Sequence, residues 1–139
     1  MSTLHSDLRA GLVTLLTDYK ASAGIKLQVY PGRPRTLNPP TAFVDLMGVR
    51  ITQDGLQRQT PSASVLVVWG LFDSATAVEQ RDKFLDGFIE WYRLNKDAAG
   101  ANTVSGITAI EDLPAYVPDW VEDRTVYYAT QITVEGYGE

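Results

Sequence analysis

The chain contains no cysteine and a single histidine, His5. The first absence removes disulfides, thiolate metal sites and a cysteine nucleophile, and the second leaves most zinc constellations and serine-type triads without the imidazoles they need. Excess positive charge is missing too: 12 Lys and Arg stand against 17 Asp and Glu, a formal net charge of -5. A protein that holds nucleic acid must neutralise phosphates, so this balance argues against a tight nucleic-acid binder and leaves DNA tolerated, not gripped. No apolar run approaches the ~20 residues that cross a bilayer. The N-terminus lacks the charged region, apolar stretch and small-residue cleavage site of a secretory signal, so a soluble cytoplasmic product is expected. No G-x-G-x-x-G or Walker pattern follows a strand, which excludes a glycine-rich phosphate cradle. Like-charge blocks, internal repeats and low-complexity tracts are also missing.

What the chain does have is 139 residues with 45% hydrophobic content, enough for one domain spanning 1–139. Its centre is the stretch Thr41 to Phe72, which reads as two long β-strands, 41–53 and 62–72, folded back around a turn near Asp54-Gly55. In the second arm Ala63, Val65, Val67, Trp69 and Leu71 alternate with Ser64, Leu66, Val68, Gly70 and Phe72, so both faces carry apolar residues. Such a strand wants cover on both sides, and the expectation is that neighbouring subunits supply part of it. Gly48 interrupts the first arm where polar and apolar positions exchange faces, which predicts a bulge or bend there. The tip, Thr52 to Pro61, is polar and reads as a projecting arm longer than a tight hairpin needs.

Around this hairpin the periodicity predicts two helices and three more strands. Leu4, Leu8, Leu12, Leu15, Leu16 and Tyr19 share one face of a helix over 3–23, with Thr3 or Ser6 as its cap and Gly24 beyond its end. Its polar face mixes Asp7 and Asp18 with Arg9 and Lys20, which favours packing on a sheet over binding a membrane. A second helix opens at Asp73, with Thr76-Ala-Val-Glu79 as a capping box, and carries Val78, Phe84, Leu85, Phe88, Ile89, Trp91 and Tyr92 to about Leu94. The strands are Ile25 to Tyr30, Val104 to Leu113 and Thr125 to Val134. Between the first helix and the hairpin, Pro31 to Pro40 holds four of the 7 prolines and is excluded from helix or central strand. Five strands and two helices in this order give an α+β class.

Candidate chemistry is sparse. Arg33 and Arg35 in the Pro-rich loop are of the type that docks a carboxylate or phosphate, although solvated arginines are the commoner outcome. The loop Pro114 to Asp123 sets Tyr116 and Trp120 among Asp119, Glu122 and Asp123; exposed aromatics beside carboxylates mark an interface, or else fold back over the sheet's edge. Pairing Asp112 with Asp119, or Glu122 with Asp123, would be needed for a metal site or an acid and base pair, and nothing in the spacing fixes that geometry. The reading is of no catalytic residue, no metal site and no cofactor, with His5 a surface residue.

The order of elements, together with Tyr30-Pro31-Gly32, Pro34, Pro39-Pro40, the strand Thr41 to Asp45, Val65-Leu-Val-Val-Trp-Gly-Leu-Phe-Asp73 running into Ala77 to Leu85, and Gln131-Ile-Thr-Val134, resembles the tail terminator (tail completion) proteins of long-tailed bacteriophages. The likeness covers nearly the whole chain and is architectural, without one diagnostic motif. It implies two helices packed on one face of a mixed or antiparallel sheet of about five strands with a long β-hairpin. It also implies a virion protein, made in the host cytoplasm, that forms a hexameric ring at the head–tail junction. Such a ring caps the tail tube, ends its polymerisation and gives head-completion or connector proteins a docking surface, while DNA passes through the lumen without specific binding. On this basis the expected contacts are Arg33 and Arg35, the tip residues Asp54, Gln57, Arg58 and Gln59, and the aromatics Tyr116 and Trp120. Another neck or tail-tube component would share the outline, and a small ligand-binding or enzymatic α+β domain is the reading from a different class.

Overall fold

A computed structural model describes residues 4–52, 58–98, 100–121 and 124–138, apart from the side chains of residues 52 and 58. Helix α1 (Leu4–Ala23) leads to β1 (Gln28–Tyr30), the hairpin strands β2 (Thr41–Thr52) and β3 (Arg58–Leu71), helix α2 (Ala75–Leu94), a 3-10 turn (Ala101–Thr103), β4 (Val104–Tyr116) and β5 (Tyr127–Gly136). The strands make one mixed sheet in the order β1-β2-β3-β5-β4, with β1 parallel to β2 and every other pair antiparallel.

Both helices pack on the same face of the sheet. Leu8, Leu12, Leu15, Leu16 and Tyr19 of α1 and Ala77, Phe84, Phe88 and Tyr92 of α2 are buried there against Ala42, Val44, Val65, Val67, Trp69, Ile132 and Val134. Rings set this layer: Tyr19 meets Phe84 edge-on at 5.0 Å and Phe88 at 5.1 Å, and Trp69 meets Phe84 at 5.3 Å. Edge-on contacts at these separations add to the area buried, by about 0.5–1.5 kcal/mol each. The α1 helix ends at Gly24, whose φ of +68° supplies the left-handed residue that closes a helix.

The opposite face is covered by the chain itself. Phe43, Leu66, Val68, Tyr127 and Ala129 are buried there beneath Leu37 of the Pro-rich segment, with Tyr116, Trp120 and Val121 packed against them. Further up the sheet the same face turns polar, with Ser62, Ser64, Thr133 and Glu135 matched across β3 and β5. This chain's own loops thus cover the apolar half of that face, whereas Leu46, level with Ser64 on the polar half, stays 60% exposed.

Several boundaries also move. The β2 irregularity falls at Asp45, between Val44 and Leu46, and not at Gly48. A Cβ at Gly48 would lie 2.9 Å from Ser62 Oγ, so that glycine permits close strand approach. Half of the expected tip is ladder, since Arg58, Gln59, Thr60 and Pro61 pair with Thr52, Ile51, Arg50 and Val49, while 53–57 lie outside the described residues. Pro61 is tolerated because the β5 ladder stops at Ser62 with Glu135, so no β5 acceptor loses a donor there. The α2 cap is Ser74, whose Oγ accepts from the Ala77 amide at 3.2 Å, and Thr76 lies inside the helix. Ile25 and Leu27 are buried in the connection ahead of β1, and the loop expected from Pro114 begins only after Tyr116, the last residue of β4.

Candidate functional site: side-chain clusters and open sheet edges

Three of the expected contact residues come together. Trp120 packs edge-on against Phe43 at 5.4 Å, donates its indole N–H to the Pro34 carbonyl at 3.0 Å, and lies 6.3 Å from the Tyr116 ring. Arg33 stacks its guanidinium 4.7 Å from the Trp120 ring and holds Asp45 Oδ1 through Nε at 2.7 Å. The Asp45 carboxylate keeps the Arg33 guanidinium charged more firmly than usual. Burial pushes the Tyr116 phenol well above the ordinary tyrosine range, with Asp45 and Asp119 adding and Arg33 opposing. The cluster fastens the Pro-rich segment and the loop after β4 to the bulge in β2. It is a clasp within the chain, and the bulge exists where Asp45 must turn to meet Arg33.

Arg35 stays exposed outside this cluster, and Gln59 is exposed on the hairpin. Arg58 is the first residue of β3; Asp54 and Gln57 lie outside the described residues, as do Glu122 and Asp123.

Asp112 and Asp119 do not come together. Asp112 sits on the helix side of β4, where Arg81 of α2 grips it with two bonds of 3.2 and 2.7 Å. It also accepts from Tyr128 at 3.2 Å and from Thr130 at 3.1 Å, and Thr130 in turn accepts the buried Trp69 indole N–H at 3.0 Å. The Tyr128 phenol is shifted upward by burial first and by Asp112 second. This relay satisfies buried donors, and sequence reasoning missed it because Arg81 and Asp112 lie 31 residues apart. Asp119 lies near Arg33 and Tyr116, on the other side of the sheet. Among the described residues no three of His, Asp or Glu gather to hold a metal ion.

Two stretches of backbone remain open. β1 pairs with β2 only at Thr41, Ala42 and Phe43, so the outer edge of β2 from Val44 to Thr52 has no strand beside it among the described residues. β4 is the last strand at the opposite side. Within the β2 run the Gly48 carbonyl has a partner, His5 Nε2 at 2.9 Å. Near it His5, Ser6, Arg9, Ala10 and Pro31 line an open cleft of about 300 Å³. Apolar side chains project on this hairpin as well: Leu46, Val49 and Ile51 are 60%, 45% and 54% exposed.

Neither a protein-family model nor a curated protein matches the chain. No helix among the described residues is long and apolar enough to cross a membrane.

Proposed function

We propose that this chain is a structural subunit of a phage tail, which closes into a ring on the end of the tail tube, stops its growth and offers the neck proteins a docking surface. The observation that carries the reading is the pairing of largely covered sheet faces with two long open edges and an apolar hairpin. Two of the candidate groups are engaged within the chain: Asp112 by Arg81, Tyr128 and Thr130, and Arg33 by Asp45 and Trp120. Backbone donors and acceptors and exposed apolar groups are left for contact, and those are what an assembling subunit uses. Function by occupancy needs no covalent step, cofactor or metal, and the proposed partners are copies of itself, the tube protein and a head-completion or connector protein. The net charge of -5 suits a lumen through which DNA slides.

Tubes polymerising from purified tail-tube protein supply the test. Added in small molar excess over tube ends, this protein should stop elongation and appear in negative stain as a ring on the tube end. Tubes that grow to the same length distribution with and without it would overturn the reading. Long polymers formed by this protein alone would point to a tube component instead.

A further inference from the structure

We infer that the ring contact is made edge to edge: the outer side of β2 in one copy receives the outer side of β4 from the next, so that one sheet continues from subunit to subunit. The inference rests on the proposed ring and names the surfaces that close it.

Strand direction carries the first step. β2 is antiparallel to β3, β3 to β5 and β5 to β4, so β2 and β4 run in opposite senses. Rotation about an axis along the strands preserves each strand's sense, and the neighbour's β4 therefore arrives antiparallel to β2, the stronger pairing. The same rotation keeps all helices on one side of the continued sheet. Side-chain character then matches on the helix face. On the helix side Val49 and Ile51 of β2 are exposed, and Ile107 and Ile110 of β4 are only partly buried.

Charge decides between this contact and a self-paired one. The β1–β2 side carries Arg9, Lys26 and Arg35, all exposed and without an ion pair among the described residues. The β4 side carries exposed Glu111 and a triad of one arginine and two acids, Arg81, Asp82 and Asp112. Joining β2 to β2 or β4 to β4 opposes like charges, whereas β2 to β4 opposes unlike ones. Two different edges meeting under rotation give a head-to-tail interface, the kind that closes rings.

The register is checkable because the chain has no native cysteine. Leu46 aligns through Ser64 and Thr133 with Ala109, so these two lie level at opposite sides of the sheet. Inside one copy they are three strand spacings apart, about 14 Å, too far for a disulfide, which can then form only between copies. The variants L46C/A109C and L46C/E111C cover zero stagger and a two-residue stagger. Under oxidation at least one should give a ladder of dimer, trimer and larger species ending at a single closed size. A product that stops at dimer, or no product from either pair, overturns the inference. Val49→Lys is the second arm: it puts a charge on the edge at a half-exposed site, so thermal stability should hold while the assembled fraction falls at least tenfold. Unchanged assembly also overturns it. Cross-linked rings that ignore tail tubes would sink the capping function and leave the contact standing. Native rings that cap tubes but never cross-link would do the reverse.

Discussion

One indole ties three segments together. Trp120 presses on Phe43 in β2, donates to Pro34 in the Pro-rich segment and carries Arg33 on its face. Removing it leaves a cavity over Phe43 and an orphaned carbonyl, so Trp120→Ala should destabilise by about 2–3 kcal/mol in urea unfolding, below the full cost of a completely buried ring. Arg33→Ala loses a stacking contact and leaves Asp45, whose side chain is only 12% exposed, without its ion pair, so it should cost about 1–2 kcal/mol. Equal losses for the two variants would mean the ion pair, not the packing, holds the clasp. Tyr116 beside them gives a pH signature. Its phenol ionises above the ordinary 10.0 because burial disfavours the phenolate. The unfolded chain therefore loses its proton first, and the stability linked to this group is complete below pH 10.0 and declines as pH rises toward the folded value. Tyr116→Phe should flatten that alkaline decline in urea unfolding followed against pH. A decline of the same slope in the variant would assign it to another group.

Among the elements, α2 shows what a sequence pattern reveals and what it hides. Its aromatic stripe is legible because Phe84, Phe88 and Tyr92 recur at four-residue steps and all are buried. Its start is not, because Thr76-Ala-Val-Glu79 fits a capping box as text while the backbone turns two residues earlier, at Ser74. Ser74→Ala should cost about 1 kcal/mol and Thr76→Ala close to nothing, read from thermal or urea unfolding. The reverse order would return the cap to Thr76. The hairpin teaches the same lesson from the other side. Its first arm is legible in full, 41–53 against the observed Thr41–Thr52, because Met47, Val49 and Ile51 keep a two-residue period, but the start of its second arm is not. There β3 runs past the end of the β5 ladder without a hydrophobic period of its own, so Arg58, Gln59, Thr60 and Pro61 read as a turn. The clasp was half legible: Arg33, Tyr116 and Trp120 stand out by type, but Asp45 as their partner depends on a bulge that no local pattern marks. Long-range pairings such as Arg81 with Asp112 were not legible at all.

At the scale of the molecule, the exposed apolar residues gather toward opposite ends of the strands. Val49 and Ile51 lie toward the hairpin end of β2. Leu71 and Phe72, 52% and 55% exposed, lie at the passage from β3 to α2, with Val78 in the first turn of that helix. If the ring axis runs along the strands, as edge-to-edge closure requires, these two ends become the ring's two flat faces. A capping ring needs its faces to differ, one seated on the tube and the other turned to the neck, so a charge placed at either end should disable only one partner. Tyr137→Lys, just past β5 at the hairpin end, and Phe72→Lys change exposed positions outside the edge-to-edge contact, and each should leave the unfolding free energy within about 0.5 kcal/mol of the parent. Of the two, one should fail to arrest tube growth while still binding the head-completion protein, and the other should arrest growth but leave tails that no longer join heads. Tail-length distributions in electron micrographs, with head-joining assays on the same preparations, separate the cases. If both variants keep both activities, the apolar ends are not the stacking faces, and contact with tube and neck must be sought on the polar half of the sheet around Ser62, Thr133 and Glu135.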